Sequence, residues 1–131
     1  MTFALDTNTV IYFFKGRGRV AETLLGIPPT QVAIPSVVVH EVETGIAKSA
    51  EPGKRREQLQ ALLDAGRVLP FGREEAFRAA GLRAALEREG RPIGPLDTLI
   101  AGTALAHDAV LVTHNTAEFT RVPGLRVTDW F

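Results

Sequence analysis

Three carboxylates stand at positions where a charged group needs compensation. Asp6 directly follows a short apolar run, and Glu41 and Asp97 lie in apolar stretches with no Lys or Arg three or four residues away. An unpaired carboxylate in apolar surroundings costs several kcal/mol, so acids gathered in a cation-poor cleft call for a divalent cation. Oxygen ligands select hard ions. The sequence therefore predicts that Asp6, Glu41 and Asp97 bind Mg²⁺ or Mn²⁺.

Each acid also has an ordinary structural explanation. Asp6, followed by Thr-Asn, suits a helix N-cap, and Asp97 suits the first turn of a helix, where the helix dipole favours an acid. Glu41 could lie on a solvent-exposed stripe of its helix. The coincidence of all three in a chain region without cations favours a shared site, and the structural explanations remain open for each one singly.

Other kinds of catalytic site find little support. The chain has no Cys, which excludes thiolate zinc sites and Cys nucleophiles, and His40, His107 and His114 are spaced too irregularly for a His-based site. Residues 16–18 lack the third glycine and the strand context of a dinucleotide fingerprint. An acid cluster holding hard cations is a recurrent solution for phosphodiester hydrolysis. That reaction is the one the residue types predict.

The elements that position these acids alternate between strand and helix. Apolar runs that alternate with helical patterns predict a parallel sheet covered on both faces, that is, an α/β fold built as a three-layer sandwich. The 131 residues amount to one domain of the usual roughly 100 to 200, so we expect a single domain over 1–131. The predicted strands are 2–5, 31–34, 67–70, 110–113 and 126–127, and the predicted helices are 7–14, 19–25, 36–48, 54–65, 73–89, 95–107 and 115–119.

Two predicted strands end in polar residues. Asp6 comes after the first strand, and Thr113 and Asn115 come after the apolar run 110–112. In open parallel sheets the pocket lies outside the carboxyl ends of the strands, where the strand order reverses. We therefore expect these residues to share one edge of the sheet.

The charges are balanced in number but segregated along the chain. There are 15 Lys and Arg against 15 Asp and Glu, yet residues 1–14, 20–47 and 92–120 contain no Lys or Arg. An acidic pocket with a basic rim for phosphate groups is one interpretation, with Arg17, Arg19 and Arg91 as its candidates. Arg91 is the first choice because glycines and prolines confine its loop. The alternative is that the basic segment 48–91, which also holds seven acids, is a solvated helical face.

No stretch approaches the roughly 18 to 20 uninterrupted apolar residues that span a bilayer. The first 14 residues carry no Lys or Arg to open a signal peptide. We expect a soluble, cytoplasmic protein without a membrane partner.

Four segments, in this order, resemble the motifs of PIN-domain ribonucleases, and most closely those of the VapC toxins of bacterial toxin-antitoxin pairs. The similarity runs from Phe3 to Trp130, and the residues after Glu118 also fit the subgroup. Each motif alone is weak, whereas four in order in a chain of this length are specific. The segments are LDTN at 5–8, VHEVETG at 39–45, GRPIGPLDTLIAG at 90–102 and VTHNTAEF at 112–119.

The resemblance implies an α/β/α sandwich and a Mg²⁺- or Mn²⁺-dependent endoribonuclease. It also implies a homodimer in complex with a VapB-type antitoxin, which covers the active site. DNA would be contacted only through the antitoxin. The RNA expected is a tRNA cut in its anticodon stem-loop, the initiator tRNA being the nearest expectation. By position, Asp6, Glu41 and Asp97 match the family's metal-site acids.

The fourth acidic position of many PIN domains is occupied by Asn115 in this chain, with Glu118 one turn later. Together with Thr113 these residues are candidates for a secondary site or a weaker second metal. Two alternatives to the nuclease are a catalytically silent PIN-fold binding module and a phosphoryl-transfer domain. Haloacid dehalogenases need a second Asp where Asn8 stands, and receiver domains need a Lys after a late strand, which the chain lacks.

Overall fold

The computed structural model describes residues 1–131, and its centre is a five-stranded, all-parallel sheet in the order β3-β2-β1-β4-β5. The strands are β1 (Phe3–Leu5), β2 (Val32–Pro35), β3 (Arg67–Leu69), β4 (Val110–Val112) and β5 (Val127–Thr128). The helices are α1 (Thr7–Lys15), α2 (Val20–Leu25), α3 (Ser36–Ala47), α4 (Pro52–Ala65), α5 (Arg73–Arg88), α6 (Pro95–Ala106) and α7 (Thr116–Phe119). The predicted order of elements is confirmed.

Both faces of the sheet are covered. Successive residues of a strand point to opposite faces. Ala4 and Leu5 of β1 are both fully buried, as are Leu111 and Val112 of β4. Because neither side of these central strands reaches solvent, helices must pack on both faces. The predicted three-layer α/β/α sandwich is therefore confirmed.

The bounds differ from the predicted ones mainly before β2. The sequence predicts a strand from residue 31, whereas Pro29–Gln31 forms a 3-10 turn and β2 begins at Val32. Pro29 favours the helical φ of that turn. β2 also extends one residue beyond the predicted strand, to Pro35, which is the N-cap of α3.

The strand order reverses beside β1. The chain passes from β1 to β2 and β3 on one side, and then crosses back to β4 and β5 on the other. The backbone N–H of Asp6 donates to the carbonyl of Val112 at 3.1 Å, which joins the carboxyl ends of β1 and β4. The expected pocket edge thus lies where Asp6 and Thr113 leave the sheet. None of the helices combines the length and apolar character that crossing a membrane requires.

The helix that carries Asp97 is packed closely against α5. A Cβ on Gly102 of α6 would lie 2.7 Å from the Cβ of Ala79 and 2.8 Å from its Cα. Real Cβ atoms do not approach backbone this closely, so only glycine allows the two helices this separation. The contact holds α6 in place about one and a half turns after Asp97.

Gly102→Ala is expected to destabilise the protein by about 1–3 kcal/mol, because the added methyl group must push α5 and α6 apart. The matched control is Gly81→Ala in α5, where a Cβ would have no neighbour within 4 Å. The control should stabilise by about 0.4–1 kcal/mol through the lower entropy of the unfolded chain. Urea unfolding of both variants measures the difference. Two variants of equal stability would show that the helices do not pack as described.

Candidate active site

Asp6 is fixed between two strands and a helix. It is the N-cap of α1, and its Oδ1 accepts a hydrogen bond from the backbone N–H of Thr9 at 2.9 Å. The Thr9 hydroxyl donates to the carbonyl of Val112 at 3.0 Å. Asp6 is only 5% exposed. The capping explanation is therefore correct, and the cap also holds the carboxylate at the carboxyl edge of the sheet.

Glu41 reaches the same edge from α3. Its Oε1 accepts a hydrogen bond from the hydroxyl of Thr7 at 2.7 Å, and its side chain is half-buried rather than on a fully exposed stripe. Sequence reasoning did not identify Thr7 as part of the site. Its position directly after Asp6, as the first residue of α1, was the available signal.

Asp97 lies in the first turn of α6, half-buried, and its carboxylate makes no hydrogen bond or ion pair. Burial raises the pKa of Asp97 to about 6, and the negative charges of Glu118, Glu41 and Asp6 contribute to the rise. The structure thus brings the three predicted acids together, with Glu118 beside them. Asp97 is the least compensated of the four.

The residues after β4 form a connected set at this edge. The pKa of Asp6 is raised by burial, and hydrogen bonds from Thr113 and Thr9 offset part of that rise. The Thr113 hydroxyl, fully buried, also accepts the backbone N–H of Asn115 at 3.0 Å. The Asn115 amide Nδ2 donates to Oε2 of Glu118. Asn115 is exposed, and its side-chain N–H is directed at Glu118, another candidate metal ligand.

Glu118 also holds the loop before α6. Its Oε1 accepts the backbone N–H of Gly94 at 3.1 Å. From the same side, Nη1 of Arg121 donates to the carbonyl of Pro92 at 3.4 Å, while its Nε is buried without a partner. Sequence reasoning missed Arg121. Both contacts position the segment that delivers Asp97.

None of the four acids has a cationic partner. The ion pairs of the structure all lie elsewhere. All four offer only oxygen ligands, which fits a hard divalent cation and not zinc. No three acidic or imidazole groups are arranged closely enough to form a complete ligand set by themselves. Mg²⁺ usually keeps several waters and needs only one or two carboxylates, so this donor set remains suited to it.

The histidines do not contribute to an ion-binding cluster. His107 Nε2 lies 2.8 Å from Glu75 Oε2, and His114 Nδ1 lies 2.9 Å from Asp129 Oδ2. His40 is exposed on α3. Two of the three histidines therefore lie beside a carboxylate that is not one of the four acids of the edge.

The predicted rim arginines are all exposed. Arg17 and Arg91 make no ion pair, whereas Arg19 contacts Glu22 at 3.3 Å. Glu87, four residues before Arg91, pairs with Arg83 at 2.8 Å and not with Arg91. Within 48–91 three arginines pair with glutamates on helices, which is the pattern of a solvated helical face. Of the three predicted rim arginines, Arg17 and Arg91 are therefore free of an ion pair.

Comparisons with known proteins agree with this geometry. Residues 3–125 match the PIN domain family. The chain is 33% identical over 130 residues to the tRNA(fMet)-specific endonuclease VapC of Salmonella typhimurium, covering 99% of this chain and 98% of that one. It is 33% identical over 132 residues to Ribonuclease VapC2 of Rickettsia felis, again covering 99% and 98%.

Solved structures show the same fold. DNA-bound VapBC from Salmonella typhimurium superposes with a TM-score of 0.92 at 33% identity, covering 100% of this chain and 99% of that chain. VapBC2 from Rickettsia felis, bound to a promoter DNA fragment, gives 0.91 at 31% identity with full coverage of both chains. The chain therefore belongs to the PIN domain family and, within it, to the VapC ribonucleases.

Proposed function

We propose that this protein is a divalent-metal-dependent endoribonuclease, the toxin of a toxin-antitoxin pair. The observation that carries the proposal is the group of four carboxylates without a cationic partner at the carboxyl edge of the sheet, in which the pKa of Asp97 is raised to about 6. Such a group is poorly suited to any role other than holding a cation. A catalytically silent binding module would not need to retain it.

Each residue of the site has a part in the proposed reaction. Asp6 and Asp97 would hold Mg²⁺ or Mn²⁺, with Glu41 completing the site directly or through water. When bound, the ion supplies Lewis acidity toward water and neutralises phosphate charge. Thr7 and Thr113 hold the carboxylates in position through their hydroxyl groups. Glu118 holds the loop before Asp97 and, with Asn115, remains a candidate for a second, weaker cation.

For the substrate we propose a tRNA, with the initiator tRNA as the first candidate to test, because curated relatives at 33% and 35% identity are named tRNA(fMet)-specific endonucleases. For the partner we propose a VapB-type antitoxin, because the similar solved structures are VapBC complexes. Some of those complexes hold DNA, so contact with DNA is proposed only through the antitoxin. A homodimer within that complex and action in the cytoplasm are part of the same proposal.

Asp97→Asn is expected to reduce cleavage of an initiator tRNA transcript by about two orders of magnitude or more, because the amide keeps the size of the side chain but removes the charge that holds the cation. The matched control is Asp64→Asn on α4, an exposed acid far from the site in sequence. Cleavage rates are measured on labelled RNA with Mg²⁺ or Mn²⁺. A cleavage rate for Asp97→Asn equal to that of Asp64→Asn would contradict the assignment.

Mg²⁺ or Mn²⁺ should raise the melting temperature, because an ion that binds only the folded form stabilises it by about 2.7 kcal/mol at a hundred times its dissociation constant. The triple variant Asp6→Asn, Glu41→Gln, Asp97→Asn should lose this response. Thermal unfolding with and without the ion measures both. An unchanged metal response in the triple variant would place the ion elsewhere. Asp64→Asn again serves as the control.

The raised pKa of Asp97 also predicts a pH dependence of stability. In the folded protein Asp97 binds its proton at higher pH than in the unfolded chain, so its contribution to stability falls as pH rises from about 4 to about 6. In EDTA, the stability of Asp97→Asn relative to that of the wild type should therefore increase as pH rises across this range. Melting temperatures of both proteins from pH 4 to 7 measure the gap in stability. A gap that stays constant with pH would show that Asp97 is not perturbed.

A further inference from the structure

Three aromatic rings form a group on the surface beside the acidic edge. The rings of His114 and Phe131 are stacked, with centroids 4.2 Å apart and an angle of 24° between their planes. The ring of Tyr12 meets that of Phe131 edge-on at 4.9 Å. We call these three residues the aromatic group. Phe131 is nevertheless 43% exposed, so the group presents apolar ring surface to solvent.

The backbone holds Phe131 firmly although its ring is not buried. Its carbonyl accepts the N–H of Arg19 at 2.9 Å, and its own N–H donates to Oδ1 of Asp129 at 2.8 Å. The other carboxylate oxygen of Asp129 contacts His114 Nδ1 at 2.9 Å. Gly18 has φ of +61°, and a Cβ there would lie 2.6 Å from the Phe131 carbonyl oxygen. The chain around residue 18 is therefore shaped to receive Phe131.

Anchoring the end of the last strand does not require this arrangement. The neighbouring residue, Trp130, is only 8% exposed and packs against Phe3 with ring centroids 5.4 Å apart. Trp130 thus supplies the apolar anchor that fastens the segment to the core. An immobilised and half-exposed ring at Phe131 is left without a structural role of its own.

The aromatic group is connected both to an acid and to two arginines. His114 directly follows Thr113, whose side chain is hydrogen-bonded to Asp6. Arg17 donates its backbone N–H to the Tyr12 carbonyl at 2.9 Å, and Arg19 is joined to Phe131 as described. The backbones of both arginines are therefore fixed beside the aromatic group.

We infer that the aromatic group is a stacking site for an unpaired base of the RNA substrate, with Phe131 as its main contact. Arg17, whose backbone contacts Tyr12 and whose side chain makes no ion pair, would contact an adjoining phosphate, with Arg19 as a second candidate. Every base has a π-face, so stacking on aromatic side chains tolerates any sequence, and it requires a base that is not paired in a duplex. The inference rests on the proposed ribonuclease function, to which it adds a substrate-binding site outside the acidic cluster.

The test measures RNA affinity in an Asp97→Asn background, so that binding is not followed by cleavage. The variants are Phe131→Leu, which keeps an apolar side chain but has no ring, and Phe131→Trp, which keeps one. The ligands are a stem-loop RNA with an unpaired loop and a fully paired RNA duplex of the same length. The control is Phe77→Leu, since Phe77 is likewise an exposed phenylalanine, at 73% exposure. Phe77 lines a surface pocket with Leu105, which is eight residues beyond Asp97 along α6 and so away from the acids.

Phe131→Leu should bind the stem-loop about fivefold or more weakly, the lower end of the range for one base stacked on an aromatic side chain. Phe131→Trp and Phe77→Leu should bind it as tightly as the background protein, and all should bind the duplex equally. Abasic nucleotides placed singly around the loop add a second measurement. At one loop position, removing the base should weaken binding to the background protein by the same factor. The same abasic RNA should bind Phe131→Leu as tightly as the complete stem-loop does, because the stacking contact is already lost.

Several outcomes would overturn the inference. Equal stem-loop affinity of Phe131→Leu and the background protein would do so, as would an equal loss on stem-loop and duplex. A loop with no sensitive abasic position would do so even if Phe131→Leu did not fold. A loss confined to binding of a VapB-type antitoxin would make the group a protein-docking surface instead. If the unsubstituted protein neither bound nor cleaved RNA, the proposed function itself would fail, which separates the two conclusions.

Discussion

Four acids without a cationic partner, Asp6, Glu41, Asp97 and Glu118, lie at the carboxyl edge of the sheet, and the surrounding elements must keep them there. Hydrogen bonds hold three of the four in place. Asp6 is held by the Thr9 N–H, Glu41 by the Thr7 hydroxyl and Glu118 by the Gly94 N–H. Asp97 has no such partner, and burial, together with the charges of Glu118, Glu41 and Asp6, raises its pKa to about 6.

The short helix α7 links the fourth acidic position to Asp97. Glu118 accepts hydrogen bonds both from the Asn115 amide and from the backbone of Gly94, in the loop that opens α6. An acid at position 115 would repel Glu118, whereas the neutral amide donates to it. The hydrogen bond to Glu118 therefore explains why a neutral amide suits position 115 in this chain. Arg121 supports the same loop through the Pro92 carbonyl.

The balanced net charge conceals two uses of the cations. Arg56, Arg78 and Arg83 form exposed pairs with glutamates, which contribute little to stability and mainly keep these helices solvated. Arg17 and Arg91 make no pair. In the proposed function, arginines without an ion pair would contact phosphates, whereas the choice of RNA would depend on contacts to unpaired bases.

The alternation of strands and helices, the parallel sheet and the three candidate acids could be predicted from the sequence alone. Apolar runs and capping residues act locally, so patterns such as Leu5-Asp6-Thr7 are readable without the fold. The pairing of Pro35 with Leu69 in an interior strand could not be predicted, because proline has no N–H to donate and is rare in such strands.

Which side chains meet across long separations in the chain depends on the tertiary structure. Thr7 contacts Glu41 across 34 residues, and Glu118 contacts Gly94 across 24. The aromatic group joins Tyr12 to residues more than a hundred positions away. No periodicity predicts such contacts, because they depend on the order in which the strands pair and on how closely the helices pack. The closeness of α5 and α6 at Gly102 is one such condition, since it fixes the helix that carries Asp97.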